Sequence, residues 1–292
     1  MCPAQNRSSL RGHGRHRFGG PFAQTESDPS MKKISIGVIG GTHGMGEWFA
    51  RLLRREGYSV WVCGRKTRLG IKDLARRCNV IVVSVPISAT AEVIRRVGPL
   101  LSEDKLLMDL TSLKKEPVRL MLAHSKAEVI GCHPLFGPRL HEESGQNVIL
   151  CPARGTRWRG WLKGVFKKNK LCVWECTPAK HDKMMAVVQG LTHLNTIALG
   201  LALANAGVSF KDINRFSTPI FRTKMDIIRK VFWESPEMYI DIISGNRHMR
   251  KILDTYQKAV EDVGQKIKSG KKNDLKKNLE RAARKFYGRK NQ

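Results

Sequence analysis

Residues 34–46 read ISIGVIGGTHGMG, and this stretch decides the fold. A short apolar run, 34–39, passes directly into glycines at 40, 41, 44 and 46. Residues 45–55 follow with Trp48, Phe49, Leu52 and Leu53 on one side of a helical pattern. A strand, a Gly-rich turn and a helix in that order make an anion-binding site. The glycines let the turn tighten and bring backbone N–H groups up to a pyrophosphate at the helix N-terminus. A G-x-G-x-x-G frame set on Gly41 has His43 at its middle glycine, with Gly44 next to it. The cofactor-binding candidates in the turn are Gly41, Thr42, His43, Gly44, Met45 and Gly46.

Working outward, short and nearly continuous apolar runs recur at 59–63, 80–85, 106–110, 129–132, 148–151 and 171–176. Such runs fit strands of a parallel sheet covered by helices on both faces, so the expected class is α/β and doubly wound. The second run ends in Gly64-Arg65-Lys66. A site for NAD places an acidic residue here to take the ribose hydroxyls, whereas Arg65 and Lys66 offer cations to a 2′-phosphate. NADP is therefore expected, with NAD the alternative. Ser84, at the end of the third run, is a further cofactor-binding candidate. DLTSLK at 109–114 and GCHPLFGP at 131–138 each follow a strand run. Ligands of open α/β sheets bind beyond the carboxyl ends of the strands, which would turn Ser112 and His133 toward the cofactor crevice. A histidine there can act as a base near neutral pH.

After Pro178 the strand pattern stops. Helical patterns cover 180–206, 224–232, 236–268 and 274–287. The expected organisation is a disordered extension at 1–30, a dinucleotide-binding (Rossmann) domain at 31–177 and a helical domain at 178–292 with a basic tail. Residues 1–30 lack the apolar core of a secretory signal, and Met31, just before the first strand, is the expected functional start. The apolar stretch 197–208 is about two-thirds of a membrane span, so no membrane partner is expected.

The chain has 53 Lys+Arg against 25 Asp+Glu, a formal net charge of +28, which raises a nucleic-acid partner. Its strongest segment for that role, 154–170, mixes seven cations with Trp158, Trp161 and Phe166. Yet Trp158, Trp161, Leu162, Val165 and Phe166 fall at i, i+3, i+4, i+7 and i+8, the inward stripe of an amphipathic helix with solvated charges. The last 28 residues hold 11 basic and 2 acidic residues, about a third of the excess, and the rest is spread thinly. A small-molecule substrate is expected rather than nucleic acid. Seven cysteines with no CxxC argue against a disulfide scaffold or a zinc ribbon, so no metal and a reducing cytoplasm are expected.

Six segments in order resemble the prephenate/arogenate dehydrogenases of tyrosine biosynthesis: GGTHGMG at 40–46, DLTSLK at 109–114, GCHPLFGP at 131–138, HDKMMAVVQGLTH at 181–193, STPIFR at 217–222 and ESPEMYIDI at 234–242. The resemblance implies a dinucleotide-binding domain followed by a helical dimerisation domain, and hence a homodimer. It implies an NAD(P)-dependent oxidative decarboxylation, in which C4 of a cyclohexadienol gives up hydride, the ring carboxylate leaves as carbon dioxide and the ring becomes aromatic. His133 would accept the hydrogen bond of the C4 hydroxyl, and Ser112 would orient His133. Arg222 would hold a substrate carboxylate, His193 would lie in the substrate pocket, and His181 would be a pocket or subunit contact. Two features depart from the family pattern. His43 replaces a glycine common in relatives, and Arg139 after the GP of HPLFGP suits dianionic prephenate better than the ammonium of arogenate. No regulatory or mutase domain is expected beside the two, so tyrosine would act only by competition.

Overall fold

The computed structural model describes residues 34–139 and 142–288. The expected extension at 1–30 and start at Met31 lie outside the described residues. The chain divides into two units, the first ending at His181 and the second beginning at Asp182.

The first unit is one seven-stranded sheet in the order β2-β1-β3-β4-β5-β6-β7. Its strands are β1 (Ser35–Ile39), β2 (Ser59–Cys63), β3 (Val80–Val83), β4 (Leu106–Asp109), β5 (Glu128–Pro134), β6 (Asn147–Arg154) and β7 (Cys172–Glu175). Pairing is parallel from β2 through β5, antiparallel between β5 and β6, and parallel again to β7. The helices between them are α1 (Gly44–Arg55), α2 (Ile71–Arg77), α3 (Ile87–Val97), α4 (Lys115–His124) and α5 (Arg157–Lys168).

Period-two alternation sends neighbouring side chains of each strand to opposite faces. Val80 and Val82 join a core with α1 and α5, whereas Ile81 and Val83 join a second core with α2, α3 and α4. All five apolar residues of the stripe on α5 are buried, as the spacing requires. The expected doubly wound class holds, with β6 and β7 reversed against the others.

β1 lies between β2 and β3, so the connections out of these strands leave in opposite directions and open a crevice at their carboxyl ends. Parallel pairing brings the ends of β1, β3, β4 and β5 to that same edge. Gly40, Ser84, the turn after Asp109 and His133 all lie along it.

The second unit is helical: α6 (Pro178–Met185, whose first turn belongs to the first unit), α7 (Thr192–Ala204), α8 (Phe210–Arg215), α9 (Pro219–Arg229), α10 (Pro236–Ser244), α11 (Met249–Lys268) and α12 (Lys272–Tyr287). Two expectations change here. The run 236–268, expected as one helix, breaks after Gly245, because buried Asn246 gives its Nδ2 proton to the Asp182 carbonyl at 2.8 Å and accepts from the His248 amide at 3.1 Å. The other concerns the apolar count: α6 and α7 join through a π-helical turn at Ala186–Leu191 into the 27-residue helix Pro178–Ala204, one 18-residue window of which has mean hydropathy 1.4. By length and composition that helix can cross a membrane, although the apolar stretch alone is too short. Only 22% of its apolar window is buried within the chain.

Candidate active site

The Gly-rich turn fits a dinucleotide by sterics. Gly40 has φ +82°, a left-handed backbone, and a Cβ there would sit 2.0 Å from the Ser84 carbonyl oxygen. A Cβ on Gly46, in the first turn of α1, would sit 2.5 Å from the Gly40 carbonyl oxygen. No side chain fits at either position, so strand, turn and helix are drawn together as backbone approach to a phosphate needs. Thr42 and His43 are exposed on the turn, their side chains 3.1 Å apart. Gly41 is buried, and Gly44 and Met45 are half-buried at the start of α1.

The turn after β2 stands beside it. A Cβ on Gly64 would lie 3.2 Å from Thr42 Cγ2. Thr67 closes that turn, accepting from the Gly64 amide at 2.9 Å. Arg65 and Lys66 are exposed at its tip, and Ser84 is half-buried at the end of β3, its amide donating to the Ile39 carbonyl at 2.8 Å. These residues would offer backbone donors and cations to one nucleotide, and their arrangement fits it.

His133 is buried near the carboxyl end of β5, and its Nδ1 meets His181 Nε2 at 2.9 Å, the rings inclined at 64°. Burial, then the His181 ring, then the Lys114 ammonium hold the His133 ring well below the ordinary imidazole pKa. The ring is therefore a neutral acceptor at neutral pH. Ser112 is half-buried in the turn between β4 and α4. The resemblance makes Ser112 the orienting group, but the contact at His133 Nδ1 comes from His181, buried in the first turn of α6. The resemblance gives His181 only as a pocket or subunit contact, because nothing local in the sequence shows a contact across 48 residues.

Lys114 carries no role from the sequence. Its side chain is fully buried and ion-paired with equally buried Asp109. It also donates to the Cys132 carbonyl at 2.9 Å, one residue before His133. In a chain with 53 cations nothing marks this one, except that it follows an apolar turn and faces Gly131.

The other candidates belong to the second unit. His193, on α7, packs edge-on against Tyr239 of α10 with ring centroids 4.7 Å apart, and burial lowers its pKa. Arg222 is exposed in the first turn of α9, a helix started by Pro219 and capped by Thr218, whose hydroxyl accepts from the Phe221 amide at 3.2 Å. Among the described residues no cluster of three or more His, Cys, Asp or Glu could hold a metal.

Residues 49–173 match the nucleotide-binding domain of prephenate dehydrogenase, and residues 177–281 match the dimerization domain of the same enzyme. This chain belongs to the prephenate dehydrogenase family. It is 34% identical over 272 residues to a probable arogenate/prephenate dehydrogenase of Methanocaldococcus jannaschii, covering 87% of this chain and 61% of that protein. It is 31% identical to the T-protein of Haemophilus influenzae, over 78% of this chain and 60% of that one. The chain thus spans about three-fifths of the length of these curated relatives. Among solved structures, prephenate dehydrogenase of Aquifex aeolicus, in complex with hydroxyphenyl propionate and NAD+, superposes with a TM-score of 0.72 at 21% identity, over 90% of this chain and 98% of that one. Synechocystis arogenate dehydrogenase gives 0.66 at 21% identity, over 85% and 97%. These likenesses establish the family's fold, a Rossmann-like unit followed by a helical one.

Proposed function

We propose that this chain oxidatively decarboxylates prephenate to 4-hydroxyphenylpyruvate in tyrosine biosynthesis, with NADP as the cofactor, as a cytoplasmic homodimer. The observation that carries this reading is the buried His133–His181 pair at the sheet edge that also holds the glycine cradle. With its proton on Nδ1, His133 would donate to His181 and offer Nε2 as the acceptor for the substrate's C4 hydroxyl. The depressed pKa keeps the ring uncharged at neutral pH. When bound, the nicotinamide supplies the hydride acceptor. His133 orients the hydroxyl and takes up its developing positive charge, and loss of the ring carboxylate as carbon dioxide completes the aromatic ring.

Arg65 and Lys66 favour a 2′-phosphate, and exposed Arg139 favours prephenate over arogenate by charge. Arg222 is assigned to a substrate carboxylate, which a guanidinium grips in bidentate fashion. The apolar surface that the second unit leaves open, together with its match to the family's dimerization domain, supports the homodimer.

One assay set tests the reading. Reduction of NADP and of NAD is followed with prephenate and with arogenate in parallel, for the wild type and for His133→Asn. The highest kcat/KM is expected with prephenate and NADP. His133→Asn is expected to lower kcat by about 100- to 10,000-fold with nucleotide Kd unchanged. Near-normal turnover in that variant would overturn the role of His133, and a preference for arogenate or NAD would replace that part of the assignment.

A further inference from the structure

We propose that the buried Lys114–Asp109 pair is the positioning element of this site, clamping the turn that presents Ser112 to the strand end that presents His133. The inference rests on the reading of His133 as the hydroxyl acceptor. Asp109 closes β4, and its Oδ2 accepts from the Thr111 amide at 3.0 Å and lies against the Thr111 hydroxyl and the Lys114 ammonium. Those contacts curl residues 109–114 back on themselves. Lys114 then reaches across to the adjacent strand and donates to the Cys132 carbonyl at 2.9 Å. The turn and the backbone beside His133 are tied through one ammonium group.

The chain makes room for this reach. Gly131 stands where any Cβ would come within 2.9 Å of Lys114 Cδ and 2.8 Å of Val118 Cγ2. A side chain at 131 would push the lysine out of its slot.

The pair is a poor device for stability alone. Desolvating two charges offsets most of their attraction, and apolar replacements of such pairs are often neutral or stabilising. This pair is also incompletely satisfied, for Asp109 Oδ1 is buried with no hydrogen-bond partner. A buried acceptor left unpaired costs stability, and such groups concentrate where function requires them.

The clamp also sets charge. Among the described residues, the titratable groups around His133 are His181 from α6, Asp109 from β4, Lys114 from the β4–α4 turn, and Cys132 and Cys151 from β5 and β6. Of these, the Lys114 ammonium is the fixed cation that opposes protonation of His133. Its removal raises the His133 pKa.

The test compares Lys114→Met with Lys114→Met/Asp109→Leu, in which no charge is orphaned in the core. Nuclear magnetic resonance of histidine-labelled full-length protein without substrate reads the His133 titration, assigned by its loss in His133→Asn. In Lys114→Met the His133 pKa is expected to rise, because the cation beside it is lost. In both variants kcat is expected to fall at least about tenfold with nucleotide Kd unchanged, because the hydroxyl acceptor is misplaced. The double variant is expected to fold at least as stably as wild type, so a folding defect in Lys114→Met alone leaves the inference testable. A double variant with wild-type kcat, or a Lys114→Met variant with an unmoved His133 titration, overturns it. The titration needs no turnover, so the pair's hold on the ring is read even if His133→Asn proves fully active and the assignment of the reaction fails.

Discussion

The two units bury apolar side chains in different ways. In the first, strand residues alternate between two cores, and α1 through α5 cover both faces of the sheet. Trp48, Phe49, Leu52 and Leu53 of α1 are all buried. In the second, long amphipathic helices leave large apolar groups in the open. Phe216 is 87% exposed, Trp233 85% and Ile220 74%. A sheet wrapped on both sides completes its own core, whereas a thin helical array finds part of its cover on another surface. The site chemistry follows the same division. His133, His181, Lys114 and Asp109 are buried, while Arg222 stands exposed.

The sharpest way to break this contrast is to open the first core. Phe49 is fully buried between Trp48 and Phe166, with ring centroids 5.9 Å from each. Phe49→Ala is expected to destabilise the first unit by about 3–5 kcal/mol, through lost burial and the cavity left behind. Chemical denaturation followed by tryptophan fluorescence measures it. A loss under about 1 kcal/mol would mean that the core is looser than its packing indicates.

What was legible in the sequence follows the same line. The strands of the first unit announce themselves because burial on both faces demands unbroken apolar runs, and glycines mark the crevice because no other residue fits there. His133 stood out through its place after a strand and through the family resemblance. Lys114 was hidden, since burial of a cation depends on partners in three strands and turns and leaves no local pattern. The His133–His181 contact was hidden for the same reason. In the second unit the helices were legible but their breaks were not. Asn246 ends a run because its side chain finds a carbonyl 64 residues away. The helix expected at 180–206 is observed at 178–204, but its π-helical turn at Ala186–Leu191 leaves no sequence mark.

A smaller effect sharpens the comparison on the other side. If the exposed apolar surface of the second unit is covered by a second copy, placing a charge there acts on association and spares the fold. Trp233→Lys is expected to weaken the homodimer by about ten- to a hundredfold in Kd, the range of a single aromatic anchor. The unfolding transition of the dilute monomer is expected to stay where it is. Analytical ultracentrifugation across a concentration series reads the first, and calorimetry at low concentration the second. An unchanged Kd would show that this tryptophan lies off the interface. A fall in monomer stability would show that it already packs within its own chain.

The smallest effect concerns ion pairs, which also differ between the units. In the first, Glu175 at the end of β7 accepts from Arg159 Nε at 2.9 Å and pairs with Lys163 at 3.3 Å, so it ties an edge strand to α5. In the second, Asp212–Arg215, Asp262–Lys266 and Glu280–Arg284 each lie within one helix, although Asp262 also accepts from Asn278 Nδ2 of α12 at 3.3 Å. Hydrogen bonding from Arg159, then from Lys163, holds the Glu175 carboxyl below its ordinary value of 4.5, although partial burial works the other way. The sign follows from linkage. A carboxylate with a depressed folded pKa contributes stability above its unfolded pKa, and that contribution disappears as pH falls through the folded value. Glu175→Gln is therefore expected to lower Tm slightly at pH 7, since its partners are largely solvated. The difference from wild type should be full above about pH 5 and vanish at more acid pH. Glu280→Gln, which removes a pair inside one helix, is expected to leave Tm unchanged across the same range. Equal pH-dependent losses in the two variants would show that the surface charges of the two units are coupled to folding alike. The difference between the units would then rest on apolar packing alone.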